Sequence, residues 1–550
     1  MRAAATATAL ITVAVGAAAA HGQVTFERLL NAGAEPHNWL TYSGTYASQR
    51  YTALTQIRPS NVGDLELKWV YQAQSLESFE TTPLVVDGVM YLTEAPNTAV
   101  AVDARTGRPF WRYQHNPSVD ARPCCGRVNR GLAMLGNTLF MATIDSKLLA
   151  LDAITGQVLW QKTIADASAG YAMTLAPLVV KDKVIVGVAG GEYGIRGFIA
   201  AHDAVTGEEE WRFYTIPAPG EPGFETWADG GDAWQHGGAS VWLTGSYDAS
   251  LDLTYWGIGN PGPDWNPAQR PGDNLYSDSV VALDPDTGEL KWHFQFTPND
   301  DYDYDAVQIP VLVDLPATVA SSGKLMYWAN RNGFFYVLDR TTGEFIRGNP
   351  FVNVNWASGL DESGRPIETP QPLGAVTFPG VQGGTNWYSP SYSPRTGLFY
   401  LSAWENYGSV FRPAEAEYQA GRTFVGGIPA SPLAGANNVP GIRRGPINNW
   451  TEALGNGAVV ALDPRTGEQR WRFPTTDVSS SGILTTATDL VFTASRDGYA
   501  YALDARTGEV LWRASPGGQG ANGPMSYAVG DAQYVAIGSG SGLFVFGLRD

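Results

Sequence analysis

The stretch Leu490-Val-Phe-Thr-Ala-Ser-Arg-Asp-Gly-Tyr-Ala-Tyr-Ala-Leu-Asp-Ala-Arg-Thr-Gly-Glu-Val-Leu-Trp512 decides the fold. Leu490 to Thr493 reads as a strand, Asp497-Gly498 as a tight turn and Tyr499 to Leu503 as a second strand. Asp504 to Gly508 makes another turn before a third strand, Val510 to Trp512. Asp-Gly between apolar runs signals a hairpin, because Gly accepts the positive φ such turns need and Asp can bond the turn amides. Working outward, Asp-x-x-Thr-Gly recurs seven times, starting at Asp103, Asp152, Asp203, Asp284, Asp339, Asp463 and Asp504. In six copies a Trp follows eight residues after the Asp: Trp111, Trp160, Trp211, Trp292, Trp471 and Trp512. The Asp339 copy has Arg347 there. One meander cannot bury its own faces, so copies must stack, with Trp filling the space between neighbours.

The spacing from Asp339 to Asp463 is long, and Tyr392-Ser-Pro-Arg-Thr-Gly-Leu-Phe-Tyr400 reads as a degenerate eighth copy within it. Near the N-terminus Leu67-Lys-Trp-Val70 looks like an outer strand without inner partners. Val535 to Phe546 supplies inner strands without an outer one. Pairing the two ends closes a ring and removes free edges. The expectation is an all-β, eight-bladed β-propeller with tryptophan-docking repeats, one domain over residues 23–550. An insertion at about 405–456 would cover the channel mouth or dock a partner.

Composition agrees. Among 550 residues there are 63 Gly, 35 Pro, 18 Trp and only 16% charged residues, which suits many turns around a large core and argues against a helical bundle or disorder. A net charge of −18 argues against nucleic acid as a partner. Two cysteines cannot build a disulfide framework, a Zn–thiolate site or a Cys-ligated cluster, and no Cys-x-x-Cys-His occurs for covalent haem. Arg2, the small apolar run Ala3 to Ala20 and Ala18-Ala-Ala20 read as a signal peptide over residues 1–22, the alternative being an uncleaved anchor. The mature chain is expected to be soluble and outside the cytoplasm. Gly538-Ser-Gly-Ser-Gly542 sits too near the C-terminus for a dinucleotide-binding βαβ unit and reads as a turn.

The Trp-bearing repeat, the adjacent pair Cys124-Cys125 and the acidic block Asp300-Asp-Tyr-Asp-Tyr-Asp305 after the fourth repeat together resemble the pyrroloquinoline-quinone (PQQ) alcohol dehydrogenases of bacterial periplasms. The resemblance runs from about Trp39 to Leu548. It implies a disulfide between Cys124 and Cys125 covering one face of the quinone, two reduced thiols being the alternative. It implies that Arg130 binds a PQQ carboxylate, as a guanidinium fork suits, and that Trp242 in Gly237-Gly-Ala-Ser-Val-Trp242 lies under the opposite face. Glu80, Thr174, Asn386 and Trp387 match further cofactor contacts, and Arg331 matches the arginine near the reactive quinone oxygens. Glu192 and Asn260 match metal ligands, oxygen donors that suit a hard cation.

Asp303 matches the family's general base. Asp305 stands where calcium-dependent members carry a small or uncharged residue and lanthanide-dependent members an Asp. A trivalent ion rewards the extra carboxylate, so one lanthanide ion is expected, with Ca²⁺ the alternative. If 303–305 were a strand, both carboxylates would point to one face and one ion could meet both. The resemblance departs at Val478 to Ile483, where some relatives have a Trp and this chain has Ser480 and Ser481.

The implied activity is oxidation of a primary alcohol to an aldehyde. Asp303 takes the hydroxyl proton and hydride passes to the C5 carbonyl of PQQ, polarised by the metal and assisted by Arg331. Electrons would go to a separate soluble cytochrome c, steered by the acidic surface. Two alternatives stand beside this, polyols or other larger alcohols as substrates and a non-enzymatic propeller scaffold; a homodimer is compatible with either reading.

Overall fold

A computed structural model describes residues 23–549 apart from 229–230, 317–321, 428–455 and 477. The signal-peptide reading of residues 1–22 and most of the expected insertion therefore lie outside the described residues.

Eight antiparallel sheets form the ring. Seven follow one rule: the innermost strand comes first in the chain and the outermost last, as in Leu84–Val86, Val89–Glu94, Thr98–Asp103 and Pro109–Gln114. The eighth joins the two ends of the chain. Leu65–Gln72 pairs antiparallel with Gly542–Leu548, which follows Met525–Val529 and Ala532–Ser539 in the same sheet. Trp69 lies opposite Val545, so the isolated outer strand finds the inner strands expected for it. The glycine-rich segment after Gly538 is the turn between the last two strands.

The count of eight stands, but the assignment of the last copy does not. Tyr392 to Tyr400 is not a separate blade. Ser391–Ser393 and Leu398–Glu405 are the inner strands of the sheet completed by Asn456–Leu462 and Gln469–Thr475, the strand that carries Trp471. The seven Asp-x-x-Thr-Gly copies each serve one blade, and the termini build the eighth. The long spacing comes from residues 406–455, inserted within that blade, and from a two-stranded excursion, Ala357–Leu360 with Pro366–Glu368. The last repeat also has an innermost strand not read from the sequence, Leu484–Thr486, on which Tyr51–Thr52 adds in parallel.

The repeated residues explain the stacking. Trp69 and every repeat Trp except Trp512 lie on the turn glycine of the next blade: a Cβ on Gly107 would fall 2.5 Å from Trp69, one on Gly156 2.5 Å from Trp111, and one on Gly508 2.6 Å from Trp471. In five of these the indole N–H donates to the carbonyl that follows the repeat Asp, whereas the Trp292 N–H has no partner among the described residues. Trp69 reaches Ala104 at 3.2 Å, Trp111 reaches Ala153 at 2.9 Å, Trp211 reaches Pro285 at 2.9 Å and Trp471 reaches Ala505 at 2.9 Å. The Asp side chain holds the turn by accepting backbone N–H groups, as Asp504 does from Arg506 and Thr507. Where Trp is absent, Asn349 occupies the place against Gly467.

These contacts give a graded expectation. Gly156 has φ +72° and Gly397, which has nothing near its Cβ position, has φ +68°. An alanine at either pays a left-handed backbone strain of about 1 kcal/mol, and Gly156→Ala adds an overlap with Trp111 that raises the cost to roughly 2–4 kcal/mol. Denaturant unfolding of the two variants should therefore rank Gly156→Ala well below Gly397→Ala; equal losses would contradict the docking role.

Candidate active site

In every blade the innermost strand begins, and the second strand ends, at the same end of the ring. The expected site residues fall at those two places. Glu80, Arg130, Thr174, Trp242, Asn386 and Trp387 stand just before the innermost strands at Leu84, Ala133, Leu178, Ser246 and Ser391. Glu192, Asn260 and Arg331 stand just after second strands that end at Gly187, Gly257 and Ala329. Residues far apart in sequence thus meet at one mouth.

One half of the site is a cationic and aromatic cleft. Arg130 is buried; its Nη1 donates to Thr174 Oγ1 at 2.8 Å, and its Nη2 lies 2.8 Å from Glu80 Oε2. The guanidinium carbon sits 5.0 Å from the Trp242 ring and 4.9 Å from the Trp387 ring. Tyr42, Ala176, Leu243, Val307 and Ile309 pack with these two half-buried indoles. Asn386 caps the Trp387 backbone N–H at 2.8 Å. The Arg130 and Arg331 Nε atoms are buried without a hydrogen-bond partner. Cys124 and Cys125 are joined by a disulfide at the exposed rim, and Cys125 Sγ lies 3.6 Å from Glu192 Oε1. A flat, multiply carboxylated ring with aromatic faces fits this donor set: indole surface, a buried guanidinium with a spare donor, and a disulfide lip.

The other half is acidic. Arg331 Nη1 lies 2.6 Å from Asp305 Oδ2 and its Nη2 lies 3.5 Å from Asp303 Oδ1. Arg331 also donates to the Val381 carbonyl. Asp305 Oδ1 accepts the Asn260 backbone N–H at 2.9 Å, which ties the acidic loop to the segment of the expected amide ligand. Asp303 and Asp305 do not belong to a strand, contrary to expectation. Asp300 accepts the backbone N–H groups of Tyr302 (3.0 Å) and Tyr304 (2.7 Å), and Asp303 adopts φ +63°. Tyr304 turns into the core, where its hydroxyl donates to the Pro379 carbonyl. Both carboxylates therefore converge on Arg331 through a bent loop rather than through strand alternation.

Burial pushes the Glu192 carboxyl up to about 7, with the Asp305 charge adding and Arg331 opposing. Asp303 is held well above the usual carboxylate range, first by burial and then by Asp305, Asp264 and Glu192, against the lowering effect of Arg331. Asp300 and Asp301 are pushed up to about 7 and about 6, burial again leading. So many carboxyls kept from ionising make an environment that a hard, oxygen-seeking cation would satisfy.

Sequence reading missed Asp264, Asp278 and Arg270, all almost fully buried here. Arg270 donates to the Pro263, Asp264 and Asp300 carbonyls and to Asn274 Oδ1, stitching the Asn260 and Asp303 segments together. The available signal was an Asp four residues after Asn260 within a Pro-Gly-Pro turn. The described part of the expected insertion does cover this mouth. Phe424 N–H donates to the Glu192 carbonyl at 2.7 Å, Trp265 N–H to Val425 at 2.9 Å, and Tyr418 stacks on His236 at 3.5 Å. Ser481 is buried and bonds the Asn522 carbonyl, while Ser480 is half-buried.

Comparison with known proteins agrees with this picture. The family model "Glucose/ethanol/alcohol dehydrogenase, beta-propeller domain" matches residues 39–355, and a second model, "Outer membrane protein assembly factor BamB", matches residues 455–542. The chain is 37% identical to the quinoprotein alcohol dehydrogenase PedH of Pseudomonas putida, over 96% of this chain and 90% of that protein. It is 38% identical to the lanthanide-dependent methanol dehydrogenase of Methylacidiphilum fumariolicum, over 94% and 87%. Among solved structures, a europium-containing methanol dehydrogenase superposes with a TM-score of 0.85 at 33% identity, over 95% of this chain and all of that one.

The raised Glu192 carboxyl has a signed consequence. In cation-free protein the folded state holds this proton up to about pH 7, while the unfolded chain releases it near 4.5, so this group lowers stability as pH rises through that window. Glu192→Gln should remove that loss, making the variant more stable than the parent at pH 8 by on the order of 2 kcal/mol and no more stable at pH 4. Denaturant unfolding at the two pH values checks it; identical pH slopes would contradict it.

Proposed function

Since the chain belongs to the PQQ-dependent quinoprotein alcohol dehydrogenases, we propose that it oxidises primary alcohols to aldehydes in the periplasm with PQQ and one lanthanide ion, and passes the electrons to a separate cytochrome c. The proposal takes residues 23–550 as one propeller domain preceded by a cleaved signal peptide. The observation that carries the metal reading is the convergence of Asp303 and Asp305 on Arg331 beside Asn260. An additional carboxylate at a calcium-sized oxygen site favours a higher ion charge.

Arg130, Glu80, Thr174, Trp242, Asn386, Trp387 and the Cys124–Cys125 disulfide would hold the cofactor, and Glu192, Asn260, Asp303 and Asp305 the cation. When bound, PQQ supplies a carbonyl that accepts hydride and the cation makes that carbonyl more electrophilic. Asp303 accepts the proton of the alcohol hydroxyl. Its carboxylate must be free to do so, and a cation placed among these acids would reverse the rise in its pKa. Arg331 holds Asp303 and Asp305 in register and offers positive charge where negative charge develops. The disulfide and Phe424 stand at the rim of the site beside Glu192. A net charge of −18 favours encounter with a basic electron carrier.

Larger alcohols, including polyols, remain the second reading, because Ser480 and Ser481 stand where some relatives place a Trp. A scaffold role would need none of the buried acids and cations described above.

Asp303→Ala should abolish dye-linked alcohol oxidation while PQQ remains bound, read from the absorbance of the reconstituted protein. Cation-free protein reconstituted with PQQ should be active with La³⁺ and at least tenfold less active with Ca²⁺. Activity with Ca²⁺ alone would remove the lanthanide reading, and a fully active Asp303→Ala would remove the base.

A further inference from the structure

Asp264 is a buried carboxylate, among the described residues, to which the reading above gives no role. It is 1% exposed, and neither carboxylate oxygen has a hydrogen-bond partner. No arginine, lysine or histidine pairs with it among the described residues. A buried carboxylate of this kind is costly unless something positive meets it. Arg270 does not play that part directly: it donates to the Pro263 carbonyl at 3.1 Å and to the backbone carbonyl of Asp264 at 3.0 Å. The backbone is thereby held while the side chain is left free. Gly426 closes over the same turn, where a Cβ would lie 2.9 Å from Pro263 and Asn266. The charges acting on the Asp264 carboxylate are those of Glu192 and Asp305, opposed by Arg270, whose own charge is engaged first by Asp300 and Asp278, and the Asn260 side chain adjoins it. Glu192, Asp305 and Asn260 are three of the four groups proposed to hold the cation.

We propose that Asp264 is a further carboxylate donor to that cation, and that it tunes the site for a trivalent ion. Glu192, Asp264, Asp303 and Asp305 bring four carboxylates, and Arg331 at 2.6 Å and 3.5 Å from the last two brings one guanidinium. The net of three negative charges is balanced by a trivalent ion and leaves an excess beside a divalent one. The large coordination shell of a calcium-sized ion accommodates the additional oxygen. The inference rests on the cation reading of the preceding subsection and goes beyond it by assigning a ligand from the turn after Asn260.

The test uses the full chain, cation-free and loaded with PQQ, titrated with Eu³⁺ and separately with Ca²⁺. Asp264→Asn should weaken Eu³⁺ binding by about tenfold or more and Ca²⁺ binding by less than about threefold. Eu³⁺ luminescence lifetimes in H₂O and D₂O should show about one more bound water in Asp264→Ala, which removes the donor oxygen that Asn retains. Asp264→Ala serves the same titration if the Asn variant does not fold. Unchanged Eu³⁺ affinity and hydration in a folded variant would overturn the inference while leaving the cation site intact. A parent protein that binds no Eu³⁺ would overturn both.

Discussion

An indole seated on a glycine holds the ring together. A turn glycine with φ near +72° leaves no side chain in the way, so the Trp of the preceding blade can lie flat on the backbone and donate its N–H to the next carbonyl. Apolar burial, a hydrogen bond and a positive-φ turn are met by two residue types, and the same solution recurs between most neighbouring blades. The interaction is local to each interface, so the ring behaves as a chain of nearest-neighbour contacts and depends on all of them for closure.

Closure sets the geometry of the mouth. Because each innermost strand starts and each second strand ends on one side, loops from many blades face each other there. The core can then carry what no single blade could stabilise. A buried guanidinium sits near two indoles on one side, and on the other carboxyls are forced upward in pKa by burial and by one another. Arg270 and Arg331 answer part of that charge, one through backbone carbonyls and the other through Asp303 and Asp305. The remaining negative charge, rather than any single ligand, is what distinguishes the site.

Periodic features were legible in the sequence and convergent ones were not. The Asp-x-x-Thr-Gly turns and their Trp partners predicted the blades because a repeated contact leaves a repeated spacing. The end strand at Leu67 to Val70 was legible for the opposite reason, being the one outer strand without inner neighbours. Tyr392 to Tyr400 was misassigned because Thr-Gly alone does not distinguish an inner hairpin turn from the outer one that docks Trp. The route by which Asp303 and Asp305 converge depends on Asp300 capping two backbone amides, and nothing in strand alternation signals it. Asp264 left only a weak local signal, because the turn that carries it is held by Arg270 and closed over by Gly426 from a distant part of the chain.

The blade shared by the two ends has a temporal meaning. Leu65–Gln72 must wait, with Trp69 unsupported on its inner side, until Gly542–Leu548 has been made. Every other blade can form from contiguous chain as it emerges, but the circle shuts only with the final strand. A mouth assembled from loops of many blades therefore reaches its working shape last. Synthesis is in this way ordered ahead of loading: a partly made chain presents an open arc, and only the finished one presents a cage.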